Sequence, residues 1–260
     1  MTPEEKSRKL TEYYYSIKDC SQCDLASMRL KFVFGSGNAN SKIMFVGEAP
    51  GKNEDLQGMP FVGQAGKILD DLLDLIGYKR NEVFIANVLK CRPPQNRDPL
   101  QEEINLCKKY LMEQIEIINP LIICTLGKYS TQLLLSTDEK ITGLRGRVFK
   151  SGGRYILPIN HPAAVLYAPS RLEILKSDFA RIEKVISVIK TGNPGNLMNV
   201  EDCSGFRIEK KSSGEENDLR AEEKSICVDL EKPIGANIDA NPGEETAKSN
   251  DFHSEQMGLF

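Results

Sequence analysis

Four cysteines have the spacing of ligands for an inorganic group. Cys20 and Cys23 form a C-x2-C pair, while Cys91 and Cys107, separated by 15 residues, follow far downstream. Four thiolates bind either a zinc ion or an iron–sulfur cubane, and a C-x2-C pair alone is also typical of redox sites. The total of seven cysteines is odd, which favours reduced thiols or metal ligands over disulfides. Cys124 lies inside an apolar run, where we expect it to be a core residue.

Three further segments carry polar groups suited to binding and cleaving a small molecule. The first, GEAPG at 47–51, is a Gly/Pro-rich turn that brings backbone amides close to a ligand. The second contains Asn87, whose carboxamide offers a hydrogen-bond acceptor and donor at once. The third contains His161, one of only two histidines in the chain.

The pattern of apolar residues predicts how these segments are positioned. Four short apolar runs are predicted to be buried strands: 43–47, 83–88, 121–126 and 155–159. Three segments are predicted to be helices: 66–76, 100–117 and 171–190. This alternation predicts a three-layer α/β/α domain over residues 1–192, with a four-stranded parallel sheet. Ligands bind at the carboxyl ends of such strands, which is where GEAPG, Asn87 and His161 fall.

Four motifs taken in order resemble those of a known family. GEAPG at 47–51, PFVG at 60–63, NVLKCRPP at 87–94 and HPAA at 161–164, together with the four cysteines, closely resemble the family-four uracil-DNA glycosylases. These are the iron–sulfur glycosylases of thermophilic bacteria and archaea, and the resemblance covers about residues 10–190. It implies the uracil-DNA glycosylase fold, a 4Fe-4S cluster on the four cysteines, and a monofunctional hydrolase that flips uracil out of DNA and leaves an abasic site.

The resemblance also implies roles for three residues around the flipped base. Phe61 matches the phenylalanine on which uracil stacks, and Asn87 matches the asparagine that reads the N3–H donor and O4 acceptor of uracil. His161 matches the histidine whose N–H stabilises the charge that develops on O2 as the glycosidic bond stretches.

The resemblance assigns less specific roles to the acidic residues within and just after GEAPG. Ala49 occupies the position of an aspartate in family-one enzymes and has no side chain to activate water. Glu48 is the first candidate for stabilising the oxocarbenium-like sugar or positioning water, and Gly47 and Glu48 are expected to contact the substrate. Glu54 or Asp55 is the second candidate, and either is alternatively expected to exclude the methyl group of thymine.

Basic side chains and the loop after His161 are expected to bind the DNA. In the family this loop enters the minor groove, so Val165 or Leu166 is the candidate wedge. Eight basic side chains are candidates for phosphate contacts: Lys90, Arg92, Arg97, Arg145, Arg147, Lys150, Arg154 and Arg171. The expected substrate is uracil-containing DNA, single- or double-stranded, and we expect a monomer.

Charge divides the chain into a body and a tail. Residues 1–192 carry 27 Lys+Arg against 22 Asp+Glu, whereas 193–260 carry 7 against 15. The basic body suits a polyanionic partner, and the polar, acidic segment 193–260 is predicted to be flexible. It ends SEQMGLF, in which Gln256, Leu259 and Phe260 resemble a shortened form of the peptide that binds the replication sliding clamp.

Three other hypotheses compete with an active glycosylase. A catalytically inactive glycosylase-like DNA-binding module would keep the fold but lose Phe61, Asn87 or His161, all of which are present. A relative that traps uracil-DNA covalently would carry GEQPG and an inserted basic loop, and neither is found. A structural zinc protein would use the four cysteines without repair chemistry. With no signal peptide and no apolar run long enough to span a membrane, we expect a cytoplasmic, nucleoid-associated protein of a prokaryote, archaeal or thermophilic.

Overall fold

The computed structural model describes residues 1–190 and the backbone of residues 200–202. The strands are β1 Ser36–Gly37, β2 Ile43–Gly47, β3 Phe84–Asn87, β4 Ile122–Leu126, β5 Val148–Ser151, β6 Arg154–Ile159 and β7 Val200–Asp202. They form one sheet in the order β1-β3-β2-β4-β6-β5-β7. The four central strands β3, β2, β4 and β6 are parallel and correspond to the four predicted strands, so the predicted parallel sheet is confirmed.

The sheet is wider than the sequence predicts. β1 pairs antiparallel with β3, β5 pairs antiparallel with β6, and β7 pairs parallel with β5. These three outer strands, of which β1 and β7 are the edges of the sheet, are two to four residues long, too short to leave a clear pattern. β7 lies within 193–260, where the sequence predicts a flexible tail, yet the backbone of its three residues belongs to the sheet. Gln256, Leu259 and Phe260 lie outside the described residues.

The helices cover both faces of the sheet. They are α1 Pro3–Ile17, α2 Leu25–Met28, α3 Lys52–Gln57, α4 Gln64–Leu75, α5 Gln101–Ile118, α6 Lys128–Leu135, α7 Ile141–Leu144, α8 Ala164–Tyr167 and α9 Arg171–Lys190. The predicted helices correspond to α4, α5 and α9. The unpredicted α1 is preceded by its N-cap residue Thr2, whose side-chain oxygen accepts the N–H of Glu5 while the Glu5 carboxylate accepts the N–H of Thr2, a capping box.

Successive side chains of β2 point to opposite faces of the sheet, and this alternation shows the three layers. Met44 and Val46 belong to the core that β2 shares with α1 and α5, whereas Ile43 and Phe45 belong to the core shared with α4 and α9. Phe45 stacks on Phe179 of α9, with ring centroids 5.5 Å apart. The three-layer α/β/α architecture is thus confirmed, and the parallel strands all end at one edge of the sheet. Among the described residues, no helix combines the length and the apolar character needed to cross a membrane.

Candidate active site

The carboxyl ends of β2 and β3 place Gly47 and Asn87 side by side. The two residues are register partners in the parallel pair, and both are buried. A Cβ atom on Gly47 would lie 2.4 Å from Asn87 Oδ1 and 2.7 Å from the ring of Phe61, which is closer than such atoms approach. The absence of a side chain at Gly47 therefore allows the amide and the aromatic ring to meet.

Asn87 carries an unsatisfied oxygen. Its side chain is 2 % exposed, and within the described part of the chain its Oδ1 has no hydrogen-bond partner. Buried polar groups are nearly always paired, and an unpaired one costs about 1–3 kcal/mol. This oxygen is therefore suited to accept an N–H from a ligand.

Lys90 fixes the backbone beside Asn87. Its Nζ donates to the carbonyl oxygens of Asn87 and Phe34 over 2.9 and 3.1 Å, and to Oε1 of Gln114 over 2.7 Å. These bonds use all three N–H donors of the ammonium group. Burial lowers the pKa of Lys90 to about 8. The prediction that Lys90 contacts phosphate is wrong, because the side chain is fully buried.

Phe61 lies in a strained turn against His161. Its φ is +54°, a left-handed conformation that costs a residue with a Cβ about 1–2 kcal/mol. The carbonyl oxygen of Phe61 would lie 1.9 Å from a Cβ on Gly66, so the first turn of α4 approaches this closely only because residue 66 is glycine. The Phe61 ring faces the imidazole of His161 with centroids 5.5 Å apart and planes 26° apart.

His161 follows β6 and is held in one tautomer. Its Nδ1 accepts the backbone N–H of Ala163 over 3.1 Å, so the proton of the neutral ring lies on Nε2. Desolvation lowers the pKa of His161 to about 4, against the opposing charge of Glu54. Gly127, which follows β4 with φ +96°, would place a Cβ 3.3 Å from His161 Cβ. The site therefore contains a neutral imidazole whose Nε2–H is available as a donor.

Glu48 is half-buried at the mouth of the GEAPG turn. Desolvation and, secondarily, the charge of Asp98 raise the pKa of Glu48 to about 7, while Lys128 acts in the opposite direction. Asp98 itself accepts the hydroxyl of Tyr129 over 2.6 Å. No motif in the sequence marks Asp98, Lys128 and Tyr129, because only the fold brings them to Glu48. A carboxyl group with this pKa changes its charge near neutral pH.

Glu54 and Asp55 each hold a backbone segment. Oε1 of Glu54 accepts the N–H groups of Val62 and Gly63, both over 2.9 Å, and thereby caps the start of α4. Oδ1 of Asp55, which is buried, accepts the N–H of Leu30 over 2.9 Å. Both acids are thus engaged in shaping loops, which favours Glu48 as the acid of the site.

The four cysteines come together away from the pocket. Cys91 and Cys107 are buried, and Cys20 and Cys23 pack against the same core. Burial raises the pKa of the Cys91 thiol above its ordinary value. Among the described residues, no three Cys, His, Asp or Glu side chains are close enough together to hold a single metal ion. Cys124 is fully buried in β4, as predicted for a core residue.

Three of the four sulfurs have hydrogen-bond donors. The hydroxyl of Tyr110 donates to Cys20 Sγ over 3.0 Å, and Nη1 of Arg29 donates to Cys91 Sγ over 3.5 Å. The backbone N–H of Lys90 donates to Cys107. Donors aimed at sulfur match the thiolate form that metal ligands require.

The loop after His161 distinguishes the two wedge candidates. Val165 packs against the core shared with α9, whereas Leu166 is 45 % exposed and its neighbour Tyr167 is 89 % exposed. Of the two predicted residues, Leu166 is thus the exposed one and Val165 is half-buried.

Several predicted phosphate contacts are used within the protein. Three form ion pairs: Arg97 with Glu103, Arg145 with Asp178, and Arg154 with Glu116. The others are partly or fully exposed: Arg92, Arg147, Lys150 and Arg171. These four side chains remain predicted phosphate contacts. Arg154 is 8 % exposed, so burial rules it out as a phosphate contact.

The chain is similar in sequence to known uracil-DNA glycosylases. The family model of the uracil DNA glycosylase superfamily matches residues 34–186. The chain is 43% identical over 206 residues to a type-4 uracil-DNA glycosylase of Saccharolobus solfataricus, covering 76% of this chain and 94% of that protein. The type-4 enzyme of Sulfurisphaera tokodaii is 46% identical, covering 75% and 92%, and that of Thermotoga maritima is 44% identical, covering 67% and 91%.

Proposed function

This chain belongs to the type-4 uracil-DNA glycosylases of the uracil-DNA glycosylase superfamily, and we propose that it binds and releases uracil with Asn87, Phe61 and His161. It is a hydrolase of N-glycosyl bonds that removes uracil from DNA in base excision repair. The observation that carries the assignment of residues is the unpaired Oδ1 of Asn87 beside the ring of Phe61.

Asn87 selects uracil by hydrogen-bond polarity. The N3–H of uracil donates to Asn87 Oδ1, and Nδ2 of Asn87 donates to O4. Cytosine presents the opposite pattern, an acceptor at N3 and a donor at the 4-position, so both contacts fail. The ring of Phe61 provides the apolar surface on which the flipped base stacks.

His161 and Glu48 act on the breaking bond. As the glycosidic bond stretches, electrons move onto O2 of uracil, and the Nε2–H of neutral His161 stabilises that anion. The carboxylate of Glu48 stabilises the cationic sugar or positions the attacking water. Gly47 contributes space for the base. The neighbouring Ala49 has no group that can take this part.

Excision from a labelled uracil-containing oligonucleotide, followed by alkali cleavage, tests the assignment. Asn87→Asp removes the donor toward O4 and is expected to lower kcat/KM on uracil about 5–150-fold, the effect of a mispaired buried polar contact. Asn81→Asp is the control, because Asn81 is exposed. Unchanged kinetics in Asn87→Asp would remove this residue from the pocket.

We propose that Cys20, Cys23, Cys91 and Cys107 bind a 4Fe-4S cluster. The four thiols pack in one core, and three of their sulfurs accept hydrogen bonds. This arrangement fits thiolates that bind a metal group. The resemblance to the family-four glycosylases, which are iron–sulfur enzymes, favours a cubane cluster over zinc as the group that these thiols bind. Cys20, Cys23, Cys91 and Cys107 would hold the cluster, which would cross-link the N-terminal segment, the loop after β3 and α5.

Two cysteine variants test the cluster. Cys107→Ser is expected to lose absorbance near about 400 nm, where a cubane absorbs, and to unfold at lower temperature. Cys124→Ser serves as the control, since Cys124 lies alone within β4. A colourless Cys107→Ser protein of unchanged stability would contradict the assignment, as would a colourless wild type containing zinc.

We propose that the C-terminal peptide binds the sliding clamp. Gln256 would occupy a polar pocket, and Leu259 and Phe260 an apolar one. Residues 193–260, except those of β7, would act as an acidic linker that follows the glycosylase domain of residues 1–192. Binding of the peptide to the clamp would raise the effective concentration of the enzyme at nucleoid DNA. A pull-down with the host's clamp compares the full chain with one ending at Glu255, and equal retention would disprove this docking.

A further inference from the structure

Arg80 binds the strained turn that presents Phe61. Its Nη1 and Nη2 donate to the carbonyl oxygen of Phe61 over 2.8 and 2.7 Å, and Nη2 also donates to that of Pro60 over 2.6 Å. Nη1 lies 3.1 Å from a carboxylate oxygen of Asp70 in α4. Arg80 lies in the loop between α4 and β3, outside the motifs that mark the pocket.

The turn at Phe61 needs such an anchor because its backbone conformation is unfavourable. Phe61 has φ +54°, and a residue in the left-handed region persists there only when its surroundings hold it. Glu54 binds the amides of Val62 and Gly63 on the other side of the turn. Arg80 binds the carbonyl oxygen of Phe61 and Glu54 binds the N–H of Val62, so the two side chains hold opposite sides of the one peptide unit that follows the Phe61 ring.

The guanidinium group is well suited to this contact. Its planar fork holds two neighbouring carbonyl oxygens at once, a geometry that a lysine ammonium cannot reproduce. The side chain is 27 % exposed, and Asp70 balances its charge from the solvent side. These contacts keep the ring of Phe61 against His161.

We propose that Arg80 is a positioning residue for uracil recognition, acting through Phe61 without touching the base. The inference rests on the proposed role of Phe61 as the surface on which uracil stacks. Loss of Arg80 would let the turn relax toward ordinary φ values and move the ring, so the flipped base would lose its stacking partner while the hydrogen bonds at the Asn87 carbonyl and at His161 Nδ1 remained.

A double-mutant cycle tests this proposal on the holoenzyme. Arg80→Ala and Arg80→Lys are compared with Phe61→Ala, with the double variant, and with Asp70→Asn as the matched control. The readouts are KM and kcat on a uracil-containing single strand, inhibition by free uracil, cluster absorbance and Tm. Arg80→Ala is expected to raise KM and the inhibition constant of uracil on the order of tenfold, the scale of one stacking contact. Asp70→Asn is expected to change them less than twofold.

The cycle separates positioning from simple stability. In the Phe61→Ala background, Arg80→Ala is expected to have no further effect on uracil affinity, because the ring it positions is gone. Low millimolar guanidinium ion is expected to restore part of the affinity of Arg80→Ala. Additive effects, or unchanged uracil affinity in Arg80→Ala and Arg80→Lys, would overturn the proposal for Arg80. Unchanged affinity in Phe61→Ala would instead overturn the proposed stacking role itself.

Discussion

The rings of Phe61 and His161 lie face to face, with their centroids 5.5 Å and their planes 26° apart. The same imidazole accepts the N–H of Ala163 at Nδ1, so it is held both through its face and through one nitrogen. A donor fixed before the reaction stabilises a developing anion without first reorganising. Phe61 thus has two functions in the proposed mechanism, since it stacks on the base and orients the histidine.

His161→Ala is expected to lower kcat about 10²–10³-fold, the usual effect of removing one preorganised donor to a developing anion. KM is expected to change much less, because O2 gains most of its charge in the transition state. Single-turnover excision at saturating enzyme measures this effect. A loss confined to KM would place His161 in substrate binding alone.

The lowered pKa of His161 predicts a pH-dependent stability. The imidazole takes up its proton near pH 6.5 in the unfolded chain but only near pH 4 in the folded protein. The free energy of unfolding should therefore fall as the pH drops from about 6.5 to 4. The difference in Tm between wild type and His161→Ala should change in favour of the variant over this range. A constant difference would contradict burial of the neutral ring.

Ionisation of Glu48 is expected to set the acidic limb of the profile of kcat/KM against pH. Because its pKa is raised to about 7, kcat/KM should rise with pH across that value as the carboxylate forms. Asp98→Asn removes a negative charge and should move the midpoint to lower pH, whereas Lys128→Met should move it higher. Glu48→Gln should abolish the limb, and persistence of the limb in this variant would transfer the titration to another group.

Gly47→Ala is expected to abolish most excision while leaving the fold intact. Its Cβ would collide with Asn87 Oδ1 and the Phe61 ring, so both base contacts must shift. Gly143→Ala is the control, because no atom lies within 4 Å of the added carbon there. The excision kinetics and the Tm of both variants test this prediction. Wild-type activity in Gly47→Ala would show that the pocket adjusts freely.

Leu166→Ala is expected to impair excision from duplex DNA more than from single strands. A wedge offsets part of the unstacking cost, which is a few kcal/mol per base step, so the duplex-to-single-strand ratio of kcat/KM should fall about tenfold. Val165→Ala should instead lower Tm, because Val165 packs against the core. An unchanged ratio in Leu166→Ala would move the wedge to the exposed Tyr167.

The central sheet was predictable because strands buried on both faces form continuous apolar runs. The pocket residues were recognisable because Gly47, Phe61, Asn87 and His161 lie in distinctive motifs. Lys90 was misassigned because a lysine in a sequence looks solvent-exposed, and only the fold shows the three acceptors around its Nζ.

Other contacts have no local signal at all. Arg80 meets Phe61 and Asp98 approaches Glu48 only after distant segments have packed together. The roles of Glu54 and Asp55 were equally hidden, because an acid that caps backbone amides and an acid that does chemistry are the same letter in a sequence.

The positions of the four thiols also set an order of assembly during synthesis. All four lie within the first 107 residues, whereas His161 is made only after β4 and β6. Chains emerge from the ribosome N-terminal end first, and their early parts begin to fold first. The nascent protein thus displays every ligand proposed for the cluster before His161 is made, so the proposed cofactor can be inserted before the enzyme is able to act on DNA.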